Sequence, residues 1–156
     1  GLPNAGKSSL LNELTKADAK VGNYEFTTLE PNLGTLENII IADIPGLIEG
    51  AAQGKGLGIK FLKHIQRTKT LLHCLSAESN DILGDYRIIR NELESFSPEF
   101  KQKREIILLT KTDLVSADEL TEKIKNLKKY NFEVMPISIH DWEGLQSLKQ
   151  KIGNLV

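Results

Sequence analysis

Apolar runs of strand length alternate along this chain with segments whose apolar residues recur every three or four positions. That alternation predicts strands interleaved with amphipathic helices. Positions 33–37, 39–43, 70–76, 105–109 and 132–137 read as strands, and 8–15, 57–69, 81–96, 117–130 and 142–155 as helices. Gly34 and Asn38 bracket a short hairpin between the first two strands. Ser116, with Glu119 three positions on, reads as a capping box opening the fourth helix. Strands that keep returning through helices predict an α/β domain with a mostly parallel sheet.

Composition narrows this little. The chain has 156 residues, a length that suits one domain spanning 1–156, and a formal net charge of −1. Near-neutrality argues against holding nucleic acid by bulk charge. Cys74 is the sole cysteine and lies among Leu71, Leu72 and Leu75, so it reads as a small buried hydrophobe. The lack of disulfides fits a reducing, cytoplasmic setting. No apolar run approaches the roughly 18 residues of a membrane span.

The chemistry begins at Gly1. Residues 1–8 read Gly-Leu-Pro-Asn-Ala-Gly-Lys-Ser, the pattern G-x-x-x-x-G-K-S. Its glycines let consecutive backbone N–H groups, including those around Pro3, Asn4, Ala5 and Gly6, converge on one anion. Lys7 supplies charge for β- and γ-phosphates, Ser8 a hydroxyl for Mg²⁺, and Ser9 continues into a helix whose N-terminus faces the same anion. The motif predicts nucleotide binding in a P-loop NTPase (Ras-like) three-layer fold. A buried strand ordinarily leads into such a loop, so the expected domain is truncated at the phosphate loop and lacks that strand.

Asp43-Ile-Pro-Gly46 closes the apolar run Ile39–Ile41. An acid at a strand's carboxyl end faces the ligand crevice. There Asp43 would hold Mg²⁺ through a water, and the Gly46 N–H would meet the γ-phosphate. Gly46, Gly50, Gly54, Gly56 and Gly58 follow in close succession, a density that predicts a backbone able to change course with nucleotide state. Thr110-Lys111-Thr112-Asp113 ends a second buried run. One carboxylate can accept both adjacent donors of guanine, N1–H and N2–H₂, a pair adenine lacks, so Asp113 would select guanine. The stem of Lys111 would lie across the base, with Leu114 beside it.

At these residues the chain resembles the Obg family of GTPases. Tyr24-Glu-Phe-Thr-Thr-Leu-Glu-Pro-Asn-Leu-Gly34 is similar to that family's first switch, and Asp43 to Gly58 to its second. The resemblance covers the whole chain as a G domain. It implies a GTPase acting on the large ribosomal subunit, rRNA and protein, in assembly and stress signalling, working as a monomer without a membrane span. It places a Mg²⁺-binding, γ-phosphate-sensing threonine at Thr28, with Thr27 as the alternative and Phe26 alongside. It also implies that the backbone of Ser138-Ile139-His140 meets the guanine oxygen. Two positions depart from the family pattern: Thr110 replaces the usual Asn, and Ile139 the usual Ala. Met135 and Trp142, which flank this last loop, read as core.

Lys7, Thr28 and Gly46 are thus the candidate catalytic groups, and Ser8, Thr28 and Asp43 the candidate metal ligands. Leu47 stands where Ras-like enzymes carry a water-orienting glutamine, and Arg67, Arg87, Arg90 and Arg104 lie outside the switches. Slow intrinsic hydrolysis follows. Asn4 has two readings: a carbonyl ligand for an activating K⁺, as in similar cation-activated GTPases, or a simple turn residue. Lys60, Lys63, Arg67 and Lys69 make one helix face basic, either solvated or set against RNA. A YchF-like ATPase is the nearby alternative, and a non-hydrolysing nucleotide-binding scaffold the more distant one.

Overall fold

The computed structural model describes residues 1–15, 20–21, 32–44, 66, 68–130 and 132–155. Helix α1 (Lys7–Leu14) follows the first loop. Strands β1 (Lys20–Val21), β2 (Asn32–Leu36) and β3 (Ile39–Ala42) form an antiparallel sheet in that order. Strands β4 (Thr70–Ser76), β5 (Arg104–Thr110) and β6 (Val134–Pro136) form a second, parallel sheet. Helices α2 (Ile82–Phe96), α3 (Ala117–Lys128) and α4 (Trp142–Gly153) alternate with its strands.

The expected strands and helices appear within a few residues of their predicted ends where they are described. The hairpin turns at Glu37, which takes a left-handed φ of 53°, so that Leu36 pairs with Ile39. The capping box is present in both directions: Ser116 accepts from the Glu119 N–H while the Glu119 carboxylate accepts from the Ser116 N–H. Strand β1 and two 3-10 turns, Pro98–Gln102 and Thr112–Leu114, had no counterpart in the periodicity. The helix expected at 57–69 lies outside the described residues except near its end, where Gln66 is helical.

The parallel sheet is covered on both faces, which is why Ile106, Ile107, Leu108 and Leu109 run without a polar break and are fully buried. One face packs on α1 and α4 through Leu10, Leu14, Leu145 and Leu148. The other packs Leu75, Ile107 and Leu109 against Ile82 and Leu127. Cys74 is buried as expected. Beside this second core, Glu105 receives a buried cluster. Its Oε1 lies 2.8 Å from His73 Nδ1, the Tyr86 hydroxyl donates to Oε2 at 3.0 Å, and Arg90 Nη1 stands 3.6 Å away.

Among the described residues the two sheets share no strand pairing: β3 pairs only with β2, and β4 only with β5. A cavity of about 90 Å³ lies between them, walled by Ile41 and Ala42 of β3, Leu72 and His73 of β4, and Leu10 and Leu14 of α1, with Gly1 at its margin.

Candidate functional site

The first loop is shaped by two left-handed residues, Asn4 at φ 63° and Gly6 at φ 82°. Gly6 is the N-cap of α1, and its carbonyl accepts the first helical bond from the Leu10 N–H at 2.9 Å. No side chain caps this terminus, so its free N–H groups stay available to an anion, which the helix dipole also favours. Gly1 meets a steric limit instead: a Cβ there would stand 2.3 Å from the Cys74 carbonyl oxygen. Only glycine allows the loop to approach β4 this closely. Lys7 reaches back over the loop and donates to the carbonyls of Gly1 and Leu2, both at 3.0 Å. Phosphate oxygens offered to this ammonium would be stronger acceptors than those neutral carbonyls.

Ser8 and Asp43 come together from positions 35 apart. The Ser8 hydroxyl donates to Asp43 Oδ2 at 2.5 Å. Asp43 is buried, 6% exposed, and its Oδ1 has no hydrogen-bond partner. A buried carboxylate oxygen left this way is costly unless something pairs it. A hydroxyl and an orphaned carboxylate oxygen side by side suit a small, hard, oxygen-seeking cation. Among the described residues no three acids, histidines or cysteines cluster to hold a metal on their own.

A pocket of about 210 Å³ joins the first loop to the base motif. Gly6 and Ser9 line it on one side, Asp113, Leu114, Ile139 and His140 on the other, and Thr110 and Lys111 between. Asp113 is oriented by Ser138: the Ser138 hydroxyl donates to Asp113 Oδ1 at 2.6 Å and accepts from the His140 N–H at 3.1 Å. That bond from Ser138 leads in holding the Asp113 carboxyl below its usual range, so it is a carboxylate at neutral pH.

Two contacts here were not foreseen from sequence. The Thr110 hydroxyl lies 2.7 Å from the Ala5 carbonyl and 3.1 Å from that of Leu75. Lys111, at a left-handed φ of 57°, places its ammonium 2.8 Å from Glu78 Oε2 in the loop after β4. Ser138 was expected to act through its backbone, and its side chain does the orienting. A buried serine at the end of a strand facing T-K-x-D was the available signal. Trp142 corrects an expectation. It was read as core, yet it is 69% exposed, because Asp141 caps α4 and leaves Trp142 on the helix's first turn. Met135 is half-buried against the core, as expected.

Of the expected site residues, Gly6, Ser9, Thr110, Lys111, Asp113, Leu114, Ile139 and His140 line one pocket, Gly1, Lys7 and Asp43 line the cavity between the sheets, and Pro3, Asn4 and Ala5 line a third pocket beside Glu78. Phe26, Thr27, Thr28, Gly46, Leu47, Gly50, Gly54, Gly56 and Gly58 lie outside the described residues.

Comparison with known proteins gives this crevice a family. GTPase Obg of Rickettsia felis is 52% identical over 153 residues, covering 95% of this chain and 46% of that protein. GTPase Obg of Pelagibacter ubique is 48% identical over 157 residues, covering 97% and 48%. The chain therefore spans about half the length of the curated relatives it matches. Among solved structures, the G domain of the T. maritima FeoB iron transporter superposes with a TM-score of 0.69 at 24% identity, covering 99% of this chain and 94% of that one. Aquifex aeolicus Era bound to GDP and AlF4− gives 0.70 at 23%, covering 99% and 54%. These likenesses establish the three-layer α/β fold of P-loop G domains. A family profile described as 50S ribosome-binding GTPase matches residues 1–111. With that profile spanning most of the chain, the protein belongs to the 50S ribosome-binding GTPases, and its G domain is of the Obg type.

Proposed function

We propose that the chain binds GTP and GDP, hydrolyses GTP slowly to GDP and phosphate, and serves as a nucleotide-dependent switch in large ribosomal subunit assembly. One observation carries the guanine-nucleotide reading. A single pocket has the open N-terminus of α1 on one side and a serine-oriented carboxylate, Asp113, on the other. That arrangement suits a purine with two adjacent donors joined to a polyphosphate.

Lys7 and the loop N–H groups would bind the β- and γ-phosphates and meet the charge that develops on them in the transition state. Ser8 and Asp43, with Thr28 from the first switch, are the residues that would hold Mg²⁺. The cation would supply charge neutralisation between the phosphates. Gly46 would sense the γ-phosphate through its N–H. Leu47 offers the attacking water no hydrogen bond, so the intrinsic rate is expected near the ~10⁻⁴ s⁻¹ of GTPases without a supplied arginine. Asn4, on the exposed left-handed turn of the loop, would either offer its side-chain carbonyl to K⁺ or serve only as a turn residue. The likeness to GTPase Obg supports a partner on the large ribosomal subunit, met in the cytoplasm. Among the described residues, no helix is long and apolar enough to cross a membrane.

Calorimetric titration with GDP and with ADP, Mg²⁺ present, tests the reading. GDP binding without an ADP signal is expected, and comparable ADP binding would refute it in favour of an ATPase. Multiple turnover of GTP, faster in KCl than in NaCl, separates the enzyme from a scaffold and the K⁺ ligand from a turn residue.

A further inference from the structure

We infer that the amino-end pole of the parallel sheet, away from the nucleotide crevice, is a docking surface for RNA, which it holds through phosphates and one stacked base. The inference gives the ribosomal reading above a surface, and rests on that reading for which RNA is met. It begins with chain direction. The strands of this sheet are parallel, so the helices that connect them run the other way. Helix N-termini therefore gather at the crevice end and C-termini at the opposite end. Acids occupy the first turns: Asp85 in α2, Asp118 and Glu119 in α3, Glu143 in α4. Lys125 and Lys128 in α3 and Lys151 in α4 occupy the last turns. The helix dipole favours both placements, and their common direction adds them into two opposed poles. A formal net charge of −1 for the whole chain hides this separation.

The dipole does not account for the strand entries. Thr70 pairs with Arg104, which sets the exposed Lys69 beside the exposed Arg104. The acids at this end are already engaged. Glu133 faces both Arg104, at 3.6 Å, and Lys151, while Glu94 faces Arg90 at 3.0 Å and Lys101 at 3.7 Å. Glu99 also lies here, and the cations still exceed the acids. Tyr130 follows Lys128 and Lys129 and is 52% exposed. Its ring stacks on Phe132 with centroids 5.9 Å apart and planes 21° apart, an aromatic platform fixed at the margin of the patch. Spaced cations beside such a ring suit phosphates flanking an unpaired base. Among the described residues, Tyr130 is the large exposed apolar side chain at this end, too little for entry into a bilayer. The seven residues of β5, at about 3.3 Å each, hold the pole roughly 20 Å from the crevice. RNA and nucleotide therefore do not compete.

The test is fluorescence anisotropy of a fluorescein-labelled RNA hairpin with an unpaired loop, titrated with the chain across a salt series. Each cation that meets a phosphate contributes about one to the slope of log affinity against log salt. Lys69→Gln combined with Lys128→Gln and Lys129→Gln should flatten that slope by about two to three. Tyr130→Ala should weaken binding about fivefold or more, and Tyr130→Phe should restore it. Arg87→Gln, which removes an exposed cation from the first half of α2, should change neither. Saturating GDP should leave RNA affinity where it was. Circular dichroism checks each fold, and should the triple variant not fold, Lys69→Gln and Lys128→Gln singly are each expected to lower the slope by about one. No hairpin binding at low salt, a slope unmoved by the lysine variants, an equal loss from Arg87→Gln, or competition by GDP would overturn the inference. So would tighter binding to phosphatidylglycerol vesicles than to the hairpin, which would make the pole a membrane surface. Equal wild-type binding of GDP and ADP would instead overturn the guanine reading, while the pole would still be judged by its salt slope.

Discussion

Replacing Asp113 by asparagine should convert the base pocket from guanine to xanthine, and Ser138 determines why. The Ser138 hydroxyl accepts from the His140 N–H at 3.1 Å, so its own proton is directed to residue 113, where it lies 2.6 Å from Oδ1. In Asp113→Asn an acceptor must remain at that position. The amide oxygen therefore turns toward Ser138, and the NH₂ occupies the place of Oδ2. One of guanine's two donors then meets another donor. Losing a charge-assisted bond costs about 1.5–3 kcal/mol, and leaving two donors opposed adds to it. The sum corresponds to a GDP affinity lower by about a hundredfold or more. Xanthine carries a 2-oxo group in place of the amine, which the NH₂ can meet, so XDP should bind more tightly than GDP. Calorimetry with GDP and XDP reads both. Adding Ser138→Ala frees the amide to rotate and should narrow the XDP:GDP ratio. A GDP loss of less than tenfold, or a ratio indifferent to Ser138, would refute the orientation argument.

Two further outcomes follow from the fold. Phe100→Ala removes a fully buried ring beneath α2 and should cost about 3–5 kcal/mol, read from urea midpoints; a cost below about 1 kcal/mol would contradict its burial. Burial lowers the pKa of His73 against the pull of Glu105, and Glu105 is held low by His73 and Arg90 despite its own burial. Both shifts act in one direction: stability falls as pH drops below the unfolded histidine value of about 6.5 and falls further through the carboxylate range. His73→Gln should remove the upper part of that decline, and a wild type that gains stability on acidification would disprove the assignment.

The parts of this molecule written into local sequence were readable, and the reasons are physical. Continuous burial from Ile106 to Leu109 leaves an unbroken apolar run because helices cover both faces of β5. The first loop is shaped by backbone conformation, and glycine marks such places directly: Gly6 through its φ of 82°, Gly1 through the approach of Cys74. Asp43 was singled out only because a phosphate loop stood upstream, since an acid after a strand ends many ordinary turns; the structure sets it beside Ser8. Trp142 was misplaced because hydrophobicity carries no information about where a cap sets the helix's first turn. At 3.6 residues per turn it stands at the edge of the stripe formed by Leu145, Leu148 and Ile152, not at its centre.

The hydroxyls were legible least of all. Thr110 bonds Ala5 across 105 residues and Ser138 bonds Asp113 across 25. A serine or threonine side chain is short, suits several backbone conformations, and leaves no periodicity that names a distant partner. Yet each closes a contact that no local pattern announces: Thr110 ties the first loop to the end of β5, and Ser138 orients the Asp113 carboxylate. A motif reading assigns T-K-x-D to the base as one block. The hydrogen bonds separate it: the Thr110 hydroxyl faces the Ala5 and Leu75 carbonyls, and Asp113 is the member of the motif that a serine holds in place.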